Sequence, residues 1–313
     1  MKLDSKTTAF VFPGQGSQNV GMGRELAIHY PSAKQTFEEA DSILGFALSK
    51  AMWEGPVDDL NATINTQPAL YVHSLAAFRV FSQIYPLFKP AAVAGHSLGE
   101  LSALTAAGAL AFEAGLQLVC KRGDLMKQAG EKNPGSMAAV LNLDIPGLEK
   151  VCAEASREGE PVQVANDNCP GQVVISGSKA AVERAMAGAK AAGAKRAIPL
   201  AVSIAAHSKL MASIQGEWNE AVRAAEIKDP SIEIVGNVNA GPMRSADEIC
   251  ADIQSQMQSR VRWTETIQLL TNQGITNFVE AGPGNVLLGL IRRITPSTSG
   301  FSLGTPVDFE ALV

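Results

Sequence analysis

A short glycine-rich motif places a serine where it could act as a nucleophile. The motif, GHSLG at residues 95–99, lies between the apolar run AAVAG and a helix-like run that starts near Leu98. A G-x-S-x-G sequence between a strand and a helix predicts a sharp turn that exposes the serine, next to helix N–H groups that favour developing negative charge. Ser97 is therefore a candidate nucleophile, and the alternative is a serine that only caps the helix.

A serine nucleophile needs a general base, and the chain has four histidines. His29 stands at a predicted helix end before Tyr-Pro, which indicates the surface, and His73 has apolar residues three and four positions away, which indicates the core or an interface. His96 is adjacent to the serine, but neighbouring side chains at a strand end point to opposite faces. His207 follows a strand in a loop that leads into a helix, and loops of this kind often carry catalytic groups. The spacing favours His207 and leaves His96 as the alternative.

One arginine lies on an apolar face of a predicted helix. Arg122 has apolar residues three and four positions away on both sides, namely Leu118, Val119, Leu125 and Met126. A buried guanidinium needs an anionic partner to offset its desolvation. That partner is either an internal Asp or Glu, which would make a structural salt bridge, or a ligand carboxylate held by two parallel hydrogen bonds.

A second glycine-rich turn, PGQGSQNVGMG at residues 13–23, follows the strand TTAFVF but does not fit a phosphate loop. Asn19 stands where the dinucleotide fingerprint requires its third glycine, and Met22 stands where a nucleotide loop requires lysine. The turn therefore serves another purpose, and one option is to aim backbone N–H groups at an oxyanion.

Composition excludes several classes of function. The 313 residues carry a formal charge of −5, so the basic excess of a nucleic-acid-binding protein is missing. Two basic pairs, Lys195-Arg196 and Arg292-Arg293, could still meet an acidic partner. The first apolar run has four residues, and the uncharged helical stretch at residues 101–112 is far shorter than the roughly 20 residues that span a bilayer, so we expect no signal peptide and no membrane association. The four cysteines lack metal-binding spacing, which favours free thiols and a cytoplasmic protein.

Strands that alternate with helices predict an α/β fold with a parallel sheet covered on both sides. Residues 130–203 differ, because their predicted order of strand, helix, two strands, helix and strand is the ferredoxin-like pattern. We therefore predict a main domain formed by residues 1–129 and 204–313, and a small inserted domain at residues 130–203. A cleft between them is the expected ligand site. The chain from about Pro296 onward is expected to be loosely structured.

These features together resemble the malonyl-CoA:acyl-carrier-protein transacylase family along nearly the whole chain. The matching motifs, in the family's order, are FPGQGSQ, TQPAL, GHSLGE, RG followed by Met126, NDNCPGQVVISG, VS…H, QSRVRW and EAGPGNVLLGLIRRI. The family fold, a hydrolase-like α/β core with a ferredoxin-like insert, agrees with the fold predicted from the sequence pattern.

The resemblance implies a role for each matching residue. Ser97 would be the acylated nucleophile, His207 the base, and Arg122 the clamp for the substrate carboxylate. The backbone N–H groups of Gln15 and Leu98 would form the oxyanion hole. The residues with supporting roles would be Gln256, which orients the histidine through its main-chain carbonyl, and Asn166 and Gln67 near the cleft.

The implied reaction is a ping-pong transfer of a malonyl group. Malonyl-CoA would acylate the serine, and the phosphopantetheine thiol of acyl carrier protein would then take up the malonyl group. No metal or redox cofactor is implied, and we expect a monomer. Rival interpretations are a serine hydrolase, which would not need Arg122, and a non-catalytic binding subunit, which would not need Ser97 and His207.

Two departures from the family pattern bear on acyl selectivity. Ala205 and Ala206 precede the histidine where relatives often carry a proline and a larger residue, and Arg260 stands where many carry proline. The alanine pair predicts extra room beside the acyl group, and hence tolerance of 2-substituted malonyl groups.

Overall fold

Strands and helices alternate along most of the chain. A computed structural model describes residues 3–312, so the outermost residues of the predicted segments 1–129 and 204–313, at positions 1, 2 and 313, lie outside the described residues. The strands are β1 Thr8–Phe12, β2 Ala92–Gly95, β3 Gly135–Leu141, β4 Val162–Cys169, β5 Gln172–Ser178, β6 Arg196–Pro199, β7 Glu233–Val235, β8 Pro242–Met243, β9 Asn277–Ala281 and β10 Ser299–Leu303. The helices are α1 Arg24–His29, α2 Pro31–Leu44, α3 Leu48–Glu54, α4 Val57–Asn61, α5 Thr63–Ile84, α6 Gly99–Ala106, α7 Phe112–Lys132, α8 Ile145–Ala155, α9 Lys179–Ala191, α10 Gln215–Ala224, α11 Ala246–Gln256, α12 Trp263–Asn272, α13 Val286–Ile294 and α14 Pro306–Glu310. Two short 3₁₀ helices cover Ser5–Thr7 and Lys209–Ile214.

The larger sheet has six strands in the order β10-β9-β1-β2-β7-β8, and only the β7–β8 pair is antiparallel. Every residue of β1 and β2 is buried, as expected for central parallel strands with helices on both faces. Alternate residues of β1 enter different cores: Phe10 and Phe12 join the cluster around α5, α6 and α7, whereas Ala9 and Val11 face α12 and α13. The predicted α/β class with a mostly parallel sheet is confirmed.

The smaller sheet is antiparallel and has the order β4-β5-β3-β6. Its chain order is β3-α8-β4-β5-α9-β6, which is the predicted order with boundaries shifted by a few residues. One face packs on α8 and α9 through residues such as Val140, Leu148, Ile175 and Val182. The two helices begin at side-chain caps, Asp144 and Ser178, which are the caps predicted from the sequence.

The prediction of a loosely structured C-terminus is wrong. β10 adds a parallel edge strand beside β9, and α14 begins at a capping box between Thr305 and Asp308. Leu303 and Phe309 are buried in the main core. The signal was weak because β10 is rich in serine and glycine, so its strand conformation depends on pairing with β9 and not on its own composition.

Pro31 is the first residue of a new helix, α2, directly beyond the predicted helix end at His29. Proline is favoured in the first turn of a helix, where its missing N–H would have no partner. The short helix α1 therefore ends at His29, and a longer helix follows almost at once.

Candidate active site

The turn from β2 into α6 holds Ser97 in a left-handed backbone conformation, with φ of 53°. The motif glycines allow this turn, because a Cβ atom at Gly95 would collide with the carbonyl of Gly99, and one at Gly99 would collide with the carbonyl of Phe12. Non-glycine residues rarely adopt positive φ, and such strain is concentrated at functional sites. The turn has the geometry predicted for a nucleophile elbow.

His207 is the histidine that reaches the serine. Its Nε2 lies 2.7 Å from Ser97 Oγ, and its Nδ1 lies 2.9 Å from the main-chain oxygen of Gln256. A carbonyl oxygen can only accept a hydrogen bond, so Nδ1 carries the proton and Nε2 of the neutral ring accepts from the serine. Burial and the nearby Arg122 guanidinium lower the pKa of His207 to about 3. The imidazole is therefore neutral at physiological pH and able to accept a proton.

The other histidines lie elsewhere. His96 lines the same cavity as Ser97, but its Nε2 contacts Asn168 Oδ1 at 2.8 Å and its ring packs against the edge of Trp263. Its alternative assignment as the base is not supported by this geometry. His29 is exposed and His73 is buried, with Nε2 2.9 Å from the oxygen of Gly304, as the sequence predicted.

Arg122 is buried and contacts the nucleophile. Its Nη1 donates to Gln67 Oε1 at 2.9 Å, and its Nη2 donates to Gln256 Oε1 at 2.9 Å and to Ser97 Oγ at 3.0 Å. Among residues 3–312 no Asp or Glu oxygen lies within salt-bridge distance of the guanidinium. Burial lowers the pKa of Arg122 to about 10, so the side chain remains a cation at neutral pH. Of the two partners considered from the sequence, the internal salt bridge is not formed.

The backbone N–H groups of Gln15 and Leu98 belong to residues that line the cavity beside Ser97. Neither N–H has a hydrogen-bond acceptor within the described part of the chain, whereas the N–H of Ser97 donates to Asn237 Oδ1. These two amides are therefore free to bind an oxygen in the cavity, as an oxyanion hole requires.

A cavity of about 540 Å³ lies between the two sheets and opens onto Ser97. The smaller sheet contributes Met137, Asn166 and Val174 to its wall. Gln67 does not line this cavity. It is fully buried, accepts a hydrogen bond from Arg122 Nη1 and donates one to the Met126 sulfur. Gln256 is also buried behind the site.

The two sequence departures occupy different environments. Ala206 lines the cavity, but Ala205 is fully buried and packs against Gly135, away from the cavity wall. The expectation that both alanines lie beside the acyl group is therefore wrong for Ala205. Arg260 lies outside the cavity, where it pairs with Glu149 at 2.9 Å and with Glu265 at 3.7 Å.

Two buried residues of the site were not identified from the sequence. Glu100 accepts hydrogen bonds from the backbone N–H of Asn237 at 2.9 Å and from Gln256 Nε2. The side chain of Asn237 bonds the backbone on both sides of His96. Burial and the neighbouring Asp252 carboxyl raise the pKa of Glu100 well above its usual value. In the sequence, the only sign of Glu100 is its place directly after the G-x-S-x-G motif, and the only sign of Asn237 is its place just beyond a strand.

Residues 3–312 contain neither a metal-binding cluster nor a membrane-spanning helix. No group of three or more His, Cys, Asp or Glu side chains there could hold a metal ion. None of the helices in the same range combines the length and the apolar character needed to cross a bilayer. The four cysteines are free thiols.

Comparison with known sequences places this site in a family. A sequence model described as acyl transferase domain matches residues 9–303. A malonyl CoA-acyl carrier protein transacylase of Haemophilus influenzae is 44% identical over 307 residues, which cover 98% of both chains. The Bacillus subtilis protein of the same name is 43% identical and covers 97% of this chain and 96% of its own.

Solved structures give the same result. An acyl carrier protein S-malonyltransferase from Vibrio cholerae superposes with a TM-score of 0.94 at 43% identity, covering 98% of this chain and 100% of its own. A malonyl-transacylase solved in complex with a type II PKS acyl-carrier protein also superposes with a TM-score of 0.94. It is 41% identical, and the match covers 97% of this chain and 98% of its own. The chain belongs to the acyl transferase domain family and, within it, to the malonyl CoA-acyl carrier protein transacylases.

Proposed function

We propose that this protein transfers a malonyl group from CoA to the phosphopantetheine thiol of acyl carrier protein through a malonyl ester on Ser97. The observation that carries the proposal is the pair of contacts at Ser97 Oγ. This atom lies 2.7 Å from His207 Nε2, a neutral base, and 3.0 Å from Arg122 Nη2, a buried cation without a carboxylate partner in the described chain.

In the first half-reaction His207 Nε2 takes the serine proton while Oγ bonds to the thioester carbon. The carbonyl oxygen becomes an oxyanion, which the N–H groups of Gln15 and Leu98 stabilise. When the oxyanion collapses, the carbon–sulfur bond breaks and the CoA sulfur takes the proton from His207. Gln256 holds the ring in place throughout, because its main-chain oxygen accepts from Nδ1.

The second half-reaction runs through the same groups. His207 takes the proton of the phosphopantetheine thiol, the sulfur attacks the malonyl ester, and Ser97 leaves with that proton. Each half-reaction exchanges one acyl bond for another, so electrons and protons balance without a metal or a redox cofactor. The exposed pair Lys195-Arg196 and the basic end of α13, Arg292-Arg293, are candidate contacts for an acidic carrier protein.

Selection of malonyl is assigned to Arg122. A guanidinium can hold a carboxylate through two parallel hydrogen bonds, and malonate has one methylene group between its carboxylate and its thioester carbonyl. A carboxylate bound by Arg122 therefore leaves the carbonyl carbon within reach of Ser97 Oγ. Asn166, on the cavity wall, and Gln67, behind the guanidinium, are assigned supporting roles in binding.

The architecture supports this assignment. The larger sheet, with its nucleophile elbow at the end of a central parallel strand, supports a hydrolase-like core within the predicted segments 1–129 and 204–313. The smaller sheet, at residues 130–203, is described as ferredoxin-like on the basis of its element order. Ser97, His207, Arg122 and Gln256 all belong to one chain, so a monomer is sufficient for the reaction.

A partition experiment tests the function and separates it from that of a serine hydrolase. The protein would be mixed with malonyl-CoA in the presence and absence of carrier protein bearing phosphopantetheine. We expect malonyl-carrier protein to form rapidly, and free malonate to form far more slowly when the carrier protein is absent. Release of malonate at the same rate with and without the carrier protein would identify a hydrolase instead.

A further inference from the structure

The end of β2 has a different partner on each side. On the β1 side the N–H of His96 donates to the oxygen of Phe12 at 3.0 Å, which continues the parallel pairing of β1 and β2. On the other side β7 pairs with β2 only as far as Ala94 and Val235. The chain of β7 then leads through Gly236 to Asn237, where regular pairing has ended.

The Asn237 side chain takes over that pairing. Its Nδ2 donates to the oxygen of Gly95 at 2.7 Å, and its Oδ1 accepts from the N–H of Ser97, also at 2.7 Å. In a parallel ladder one residue bonds in the same way, through its own N–H and C=O, to the two residues that flank its neighbour. A single side-chain amide thus replaces a strand residue at the point where the nucleophile turn begins.

Asn237 is itself held firmly. The residue is 1% exposed. Its main-chain N–H donates to Glu100 Oε1 at 2.9 Å, and its main-chain oxygen accepts from the N–H of Arg262 at 3.0 Å. Glu100 also accepts from the Gln256 side chain, which donates to the oxygen of Ser97 at 2.9 Å. Both backbone polar groups of Ser97 are therefore occupied by buried amides.

We propose that Asn237 is a positioning residue that fixes the nucleophile turn, so that Ser97 Oγ faces His207 and the N–H of Leu98 faces the cavity. The positive φ of Ser97 is unfavourable for a residue with a side chain, and the two bonds from Asn237 hold it there. With the N–H of Ser97 directed to Asn237, the N–H of Leu98 is the next one along the chain that is free to bind an oxyanion. This inference rests on the proposed function.

Two substitutions test this role. Asn237→Leu removes both bonds and leaves the oxygen of Gly95 and the N–H of Ser97 without partners. We expect kcat/KM to fall about 10²-fold, the effect of a reacting group misplaced by roughly 1 Å. The loss should be the same for malonyl-CoA and acetyl-CoA, because both acyl groups would use the same serine, and it should lie mainly in kcat.

The second variant, Asn237→Asp, keeps the shape of the side chain but makes its bonding depend on pH. When protonated, the new carboxyl donates to the oxygen of Gly95 and accepts from Ser97; when ionised, it repels the Gly95 oxygen. Burial and the carboxyls of Glu100 and Asp252 would raise its pKa, although Arg262, paired with Glu265, is also near. The ratio of variant to wild-type kcat/KM should therefore fall about 10-fold or more as pH rises from 5 to 8.

Thr266→Val is the matched control. Thr266 is fully buried, and its hydroxyl donates to the oxygen of Gly236, the residue next to Asn237. This variant should lower the melting temperature slightly and leave kcat/KM unchanged at every pH.

The outcomes separate this inference from the function itself. A wild-type protein that transfers no malonyl would overturn the proposed function. If the wild type is active, the positioning role is overturned when kcat/KM of the Asn237→Leu variant lies within about threefold of the wild-type value. It is equally overturned by an Asn237→Asp ratio that does not change with pH. If Asn237→Leu does not fold, the Asn237→Asp profile decides alone.

Discussion

The Nη2 atom of Arg122 lies 3.0 Å from Ser97 Oγ, although Arg122 lies within α7 and Ser97 lies in the turn between β2 and α6. This contact places a buried cation directly beside the candidate nucleophile. In the proposed function it would hold the carboxylate of the malonyl group, and that contact would place the thioester carbonyl within reach of Ser97 Oγ. The proposed function therefore assigns substrate choice to Arg122 and bond making to Ser97, and substitutions of Arg122 can separate the two roles.

Arg122→Ala should abolish most malonyl transfer but preserve or increase transfer of acetyl, because only the malonyl group has a carboxylate to lose. Arg122→Lys should recover little malonyl transfer, since an ammonium group cannot reproduce the planar two-point grip. The measurement is kcat/KM for both thioesters in each variant. Equal losses on the two substrates, together with a lower melting temperature, would assign Arg122 a structural role.

His207→Ala should lower kcat by 10²-fold or more for both acyl groups, because the general base is lost. His96→Ala should have a much smaller effect, since His96 contacts Asn168 and not the serine. Single-turnover acylation rates of the two variants test the assignment. A larger loss in His96→Ala than in His207→Ala would reverse it.

The pH profile follows from the environment of His207. The base works only when neutral, so activity is lost as pH falls through the pKa of the ring. Burial and Arg122 lower this pKa to about 3. We therefore expect kcat/KM to stay nearly constant from pH 8 down to about 5, where a histidine with the ordinary value of about 6.5 would already be mostly protonated. A loss of activity centred near pH 6.5, with the fold intact by circular dichroism, would contradict this environment.

Ala206→Phe should narrow the acyl cavity. Ala206 lines the wall together with Met137 and Val174, so a larger side chain there would exclude a 2-methyl group. One methyl contact is worth about 1–3 kcal/mol, so methylmalonyl transfer should fall roughly 10- to 200-fold while malonyl transfer changes little. Ala205→Ser, at the buried neighbour that does not line the cavity, is the control and should leave the ratio of the two substrates unchanged. If Ala206→Phe lowered malonyl and methylmalonyl transfer equally, a residue other than Ala206 would determine which acyl groups the cavity accepts.

The sequence predicted the parts of the site that depend on local pattern. A serine between a strand and a helix, and an arginine on an apolar helix face, can be recognised from spacing alone. The partners of Arg122 could not be, because Gln67 and Gln256 come from α5 and α11, and only packing brings them to α7. Asn237 was missed for the same reason, since its role depends on β7 lying beside β2.

The most direct test of the account is the intact mass of the protein after brief exposure to malonyl-CoA without carrier protein. We predict a mass increase of one malonyl group, located on Ser97 by peptide mapping, lost on addition of phosphopantetheine-bearing carrier protein, and never formed in Ser97→Ala. A covalent malonyl group on the Ser97→Ala variant, or its location on any other residue of the wild type, would contradict the central claim.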